Sequence, residues 1–175
     1  MANVDAPLGL RLITGGSRKA PRIVRRQVDG ASTAMAPGDC YTVANSKASR
    51  AGTSAAVNGV MVAVDVPGAA VGEGPMTYDY VPENGAQYIL GIEDADAEFE
   101  VQWTTGETPA ATDFDAGSTV DLLATACSVG PPAQSREEVQ AGVDSFLLVR
   151  LVDRPGNAYG EHAKVVVKLR PANVI

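Results

Sequence analysis

Histidine and tryptophan occur once each in this chain, as His162 and Trp103, and cysteine twice, as Cys40 and Cys127. Two thiols this far apart make neither a disulfide framework nor a Cys-x-x-Cys zinc site, so two reduced and mostly buried small side chains are expected. Long apolar runs are missing as well. The longest, such as Phe146-Leu147-Leu148-Val149, fall far short of the roughly 20 residues that span a bilayer. The opening Met1-Ala2-Asn3-Val4-Asp5 lacks the apolar core of a secretory signal, which leads to the expectation of a soluble, cytosolically made protein with no membrane partner. Aromatics make up 5% of residues, so a core must come largely from Ala and Val. At 175 residues the chain suits one domain with an extension, and a chain of that size buries roughly 70% of its unfolded surface without staples.

The most informative shortage is of one sign of charge. Residues 51–135 hold no Lys or Arg against thirteen Asp or Glu. Residues 1–50 hold eight basic side chains against three acidic, and residues 136–175 six against five. The three blocks carry net +5, −13 and +1 within a formal −7. Such sorting reads as a basic leading arm, an acidic middle and a mixed close, and it points to charge-guided assembly.

Residues 1–20 show no periodicity and combine Pro7, Gly9, Gly15 and Gly16 with scattered Leu8, Leu10, Leu12 and Ile13. They are expected to form an extended arm, followed by one domain over residues 21–175. From there the pattern is mainly β, a small barrel or sandwich with at most one short helix. Strands are expected at Ile23–Val28, Cys40–Ala44, Val57–Val66, Gln87–Glu93, Val120–Ala126, Ser145–Val152 and Lys164–Leu169. The clearest is Glu98–Trp103, where Phe99, Val101 and Trp103 alternate with Glu98, Glu100 and Gln102, which places the aromatic residues inward. Ser135 and Glu138 have capping-box spacing, so Arg136–Gln140 is expected to be the short helix, ended by Gly142. The Gly, Ala and Pro density of residues 67–76 predicts a long surface loop.

No catalytic constellation emerges, so the chain is not expected to be an enzyme. His162 beside Glu161 in a Gly160-led loop reads as an exposed loop histidine, because nothing near it offers a nucleophile. Glu93, Asp94, Asp96, Glu98 and Glu100, with Asp113 and Asp115 further on, raise calcium. Calcium requires six to eight converging oxygens, whereas alternation fans these along a strand, so a solvated or docking acidic face is expected and no metal or cofactor. Gly15-Gly16-Ser17-Arg18-Lys19 lacks the Gly-x-x-x-x-Gly-Lys-Ser/Thr pattern of a phosphate loop. The basic arm has no aromatic for base stacking, and the acidic remainder disfavours nucleic acid, so no nucleic-acid partner is expected.

Both ends of the chain resemble the head decoration, or cement, proteins of tailed bacteriophages. The resemblance rests on Met1-Ala2-Asn3 and Pro7-Leu8-Gly9-Leu10-Arg11 at the start, with Leu8 where the family usually has Phe and Leu12 where it usually has Pro. Further on it rests on the acidic lead Glu93-Asp94-Ala95-Asp96-Ala97-Glu98 into an alternating strand, on Ser135-Arg136, and on the closing strand, Pro155-Gly156-Asn157 loop and Val-rich strand. It covers residues 1–13 and roughly 88–170. It implies a structural protein on the outer surface of an icosahedral shell, partnered by the major capsid protein and by copies of itself, with a trimer favoured over a dimer. It also implies a capsid-binding arm, for which Pro7, Leu8, Leu10, Arg11, Arg18, Lys19 and Arg22 are the candidates. The alternative is a phage-surface or tail-associated β-domain that binds host glycans.

Overall fold

The computed structural model describes residues 3, 5, 7–13, 20–65, 80–85, 87–114, 117–129 and 133–174. The chain is mainly β. Its strands are β1 (Arg11–Ile13), β2 (Ile23–Val28), β3 (Cys40–Ala44), β4 (Lys47–Arg50), β5 (Gly59–Asp65), β6 (Tyr88–Ile92), β7 (Glu98–Gln102), β8 (Thr119–Leu123), β9 (Glu138–Ala141), β10 (Phe146–Leu151) and β11 (Lys164–Leu169). A 3-10 turn at Ala111–Phe114 is the one helical element among the described residues.

Two sheets share this material. Strands β2-β4-β3-β5-β6 close into a barrel in which β2 and β4 run parallel and every other pair is antiparallel. The remaining six form an antiparallel sheet in the order β1-β7-β11-β10-β8-β9. That sheet curls back on itself. β1 pairs with Glu98–Glu100 of β7, while Val139 of β9 bridges to Trp103 just beyond β7, and the Thr104 N–H donates to the Val139 carbonyl at 2.9 Å.

Period-two alternation explains how the two sheets join. On the barrel strands Tyr41, Met61 and Ile89 point inward and form one core with Val28, Met35, Ala48, Val64 and Val81. Their neighbours Cys40, Val60 and Ile92 point outward, yet they are equally buried, because the curled sheet covers them with Phe99, Val101, Val120 and Val167. Those barrel strands are therefore apolar on both faces. Tyr41 fits inside the barrel only beside glycine: a Cβ on Gly91 would lie 2.1 Å from its hydroxyl.

The expected strands at 23–28, 40–44 and 164–169 coincide with β2, β3 and β11, and the others shift by a residue or more at their ends. β4 was not anticipated, since Lys47-Ala48-Ser49-Arg50 buries only Ala48 fully. The expected helix at 136–140 is a correction. Residues 133–139 alternate between buried and exposed, and Glu138–Ala141 pairs with β8. Two of the inward positions are Ser135 and Glu137, so the strand period was hidden behind polar side chains. Ser135 Oγ does accept a backbone N–H, but from Glu137 at 3.3 Å in an extended segment. The expected loop at 67–76 lies outside the described residues.

Candidate functional site

The N-terminal segment, expected as an extended arm, is stitched to the chain's own sheet. The Asn3 side-chain amide donates to the carbonyls of Ala158 and Glu161, both at 2.9 Å, and its oxygen accepts the Ala158 N–H at 3.2 Å. Leu10 is 3% exposed within the core shared by both sheets, and its N–H donates to the Gly38 carbonyl at 3.0 Å. Gly9 makes that entry possible. Its φ is +65°, and a Cβ there would fall 2.1 Å from Ser135 Oγ and 2.8 Å from the Gly38 carbonyl. The domain thus begins well before residue 21.

What remains outward on this segment is a narrow edge. β1 pairs only with β7 among the described strands, which makes it an edge strand there. Leu8 is 42% and Leu12 38% exposed, and Arg11 is exposed opposite Glu100. A cleft of about 210 Å³ runs beside the segment, lined by Leu8, Arg11, Glu100, Gln102, Arg154 and Lys164. Of the seven expected capsid-binding residues, Pro7, Leu8 and Arg11 sit together here, and Leu10 is turned into the core. Arg22 stands apart, ahead of the barrel strand β2, where its N–H donates to Asp94 Oδ2 at 3.1 Å. Arg18 and Lys19, with the glycine pair before them, lie outside the described residues.

The acidic strand is a further correction, because Glu93, Glu98 and Glu100 are each matched by a cation of the same chain. Glu98 is nearly buried and faces Arg150 at 2.8 Å and Lys168 at 3.6 Å, while Glu100 meets Arg154 at 2.7 Å. Asp94 accepts the Arg22 and Asp96 N–H groups. Glu93 is wholly buried and takes a two-pronged hydrogen bond from Arg26, both distances 2.7 Å, plus the Tyr41 hydroxyl at 3.0 Å. Arg25 pairs with Asp65 and lies over the Tyr88 ring, 3.6 Å from its centroid. Asp65, Glu93, Glu98 and Glu100 of the acidic block are therefore paired with cations rather than displayed alone.

A second buried cluster sits where barrel and curled sheet meet. Arg50, at the end of β4, faces Glu137 at 3.1 Å and Asp39 at 3.4 Å. Glu137 Oε2 also accepts the Cys40 N–H at 2.7 Å, and Asp39 Oδ2 accepts the Ala36 N–H at 2.8 Å. Asp39 Oδ1 and Arg50 Nε find no hydrogen-bond partner among the described residues. Burial, with the neighbouring Asp39 adding to it, pushes the Glu137 carboxyl up to about 8, and burial raises Asp39 as well. One guanidinium thus serves two carboxylates. Burial also raises the thiols of Cys40 and Cys127, which are both free, so neither is activated as a nucleophile.

His162, expected in an exposed loop, is the last correction: its side chain is only 16% exposed. It faces Asp5 and Gln102, with Glu138 nearby, a grouping of residues from three distant stretches that no local motif announces. Trp103 is buried as expected, and its indole N–H has no partner among the described residues. No helix among the described residues is long and apolar enough to cross a membrane. The chain matches none of the protein-family models, curated proteins or solved structures with which it was compared.

Proposed function

We propose that this protein is a capsid cement protein of a tailed phage, which binds the outer face of the expanded shell and clamps adjacent major capsid subunits. The observation that carries the reading is the edge strand β1. It continues directly from the Pro7–Arg11 run on which the family resemblance rests, and it is an edge strand among the described strands, with Leu8, Arg11 and Leu12 exposed. Such an edge can add a strand to a neighbouring subunit, with the leucines supplying apolar contact and Arg11 a carboxylate contact. Contacts of this kind are individually weak, and repetition over a shell makes them cooperate.

The test is co-sedimentation with expanded and unexpanded shells of the cognate major capsid protein. Wild type is expected to pellet with expanded shells only. Leu12→Asp and Arg11→Glu, both at exposed positions, are expected to keep the fold and weaken binding at least tenfold. Deleting residues 1–20 would be a poor test, since it removes Leu10 from the core. Absence of binding to either shell sinks the proposal.

One feature favours the glycan-binding alternative. A cavity of about 540 Å³ opens between β8, β9 and the 3-10 turn, with Glu107, Thr108, Asp113, Ser118 and Thr119 offering polar atoms on its wall. Trp103 lines it but is too buried to act as a stacking platform. Saturable binding on a glycan array, lost in Asp113→Ala, would favour that reading over the clamp.

A further inference from the structure

We propose that Asp5, Glu138 and His162 form a binding site for one divalent transition-metal ion, zinc foremost, which pins the N-terminal segment to the sheet. The three residues come from the N-terminal segment, from β9 and from the loop before β11. Their donor atoms all lie within 4.8 Å of one another.

What occupies the space between them points to a cation. Gln102, 2% exposed, extends its amide nitrogen to 2.7 Å from Glu138 Oε1, 2.8 Å from Asp5 Oδ1 and 3.5 Å from His162 Nδ1. The two amide hydrogens go to the two carboxylate oxygens, and His162 Nδ1 stands further off on the same side. A metal ion at that point would accept a lone pair from all three residues. The Gln102 amide then swings aside or turns its oxygen to the ion as a fourth donor.

The donor set selects the metal. One imidazole nitrogen with two carboxylate oxygens suits zinc and its neighbours, whereas calcium and magnesium favour all-oxygen surroundings. Zinc–ligand distances of roughly 2.0–2.2 Å would draw the three groups inward. Asp5, whose side chain is 60% exposed, has the most room to move. Lys164 is the competing cation: its ammonium donates to Gln102 Oε1. The pinned segment also carries Leu8 and Arg11, so ion binding would stiffen the proposed docking edge. The site itself stands independently of that reading.

The experiment uses the full chain, stripped with chelator, reloaded with zinc, desalted and measured for metal content. One zinc per chain is expected, together with a raised melting temperature that calcium and magnesium do not reproduce. Cobalt loading should give the visible absorption of a low-coordinate site. Asp5→Asn, at the surface, and His162→Ala are each expected to abolish stoichiometric binding, with the metal-free melting temperature of Asp5→Asn unchanged. Lys164→Met is expected to bind zinc roughly tenfold tighter, since a competing positive charge is gone. Failure of the wild type to retain zinc, or its retention by both Asp5→Asn and His162→Ala, overturns the proposal.

Discussion

In the barrel, Arg26 meets Glu93 with two arms of its fork while Tyr41 donates to the same carboxylate, so one positive charge answers one negative charge. At the junction between barrel and curled sheet, Arg50 answers both Asp39 and Glu137, and two polar atoms there find no hydrogen-bond partner among the described residues. The residue types are the same and both clusters are buried. Their difference teaches that stoichiometry decides protonation. In the barrel the Glu93 hydrogen bond raises the Arg26 pKa, so the guanidinium is held charged. At the junction, burial beside a second carboxylate leaves Glu137 holding its proton through neutral pH.

The comparison can be broken most forcefully at the balanced cluster. Arg26→Met strands a buried carboxylate on Tyr41 alone, and urea unfolding at pH 7 should show a loss of about 3–5 kcal/mol. Arg50→Met should cost less at pH 7, because burial already raises both of its carboxylates, and its cost should shrink toward pH 5 and grow toward pH 9.

The pH dependence of the wild type is the next effect in size. The folded Glu137 value of about 8 lies above its unfolded value of 4.5. Between those values the unfolded chain releases a proton that the fold retains, so stability is highest at the acid end of this window. It falls as pH rises and levels off above about 8, by up to a few kcal/mol. Asp39, also raised, contributes in the same direction. Glu137→Gln should flatten this slope when unfolding is followed from pH 5 to pH 9. An unchanged slope would place the proton elsewhere.

The exposed cross-strand pairs form the small end of the scale. Arg154 and Glu100 are 2.7 Å apart, but Arg154 is 44% exposed, so Arg154→Ala should cost no more than about 0.5 kcal/mol and less in high salt. A larger loss would mean that the pair does more than screen the acidic strand, for example by shaping the cleft beside β1.

How far the fold could be read from the chain depended on which side chains faced inward. β2, β3 and β11 follow from runs of Val, Ile, Tyr and Leu bounded by Pro, Gly and Asp, which mark a strand within a few residues of local sequence. The strand period of β9 is hidden because its lead-in buries Ser135 and Glu137, and the partners of the Glu137 carboxylate, Arg50 and the Cys40 amide, lie on another sheet. The acidic strand was read correctly as a strand and incorrectly as a charged face. Its partners Arg150, Arg154 and Lys168 lie more than fifty residues later, where alternation carries no information about them.

By itself the sequence determined the β class, the inward set on β7 and the burial of Trp103, because side-chain direction in a strand alternates residue by residue. Only the tertiary structure decided that the N-terminal segment docks on its own sheet, that Arg25 and Arg26 of the basic block pair with Asp65 and Glu93 of the acidic one, and that His162 meets Asp5 and Glu138. Asn3 and Ala158 touch across 155 positions and Arg50 and Glu137 across 87. Such contacts arise from how two curled sheets stack, and no local pattern of residues encodes that geometry.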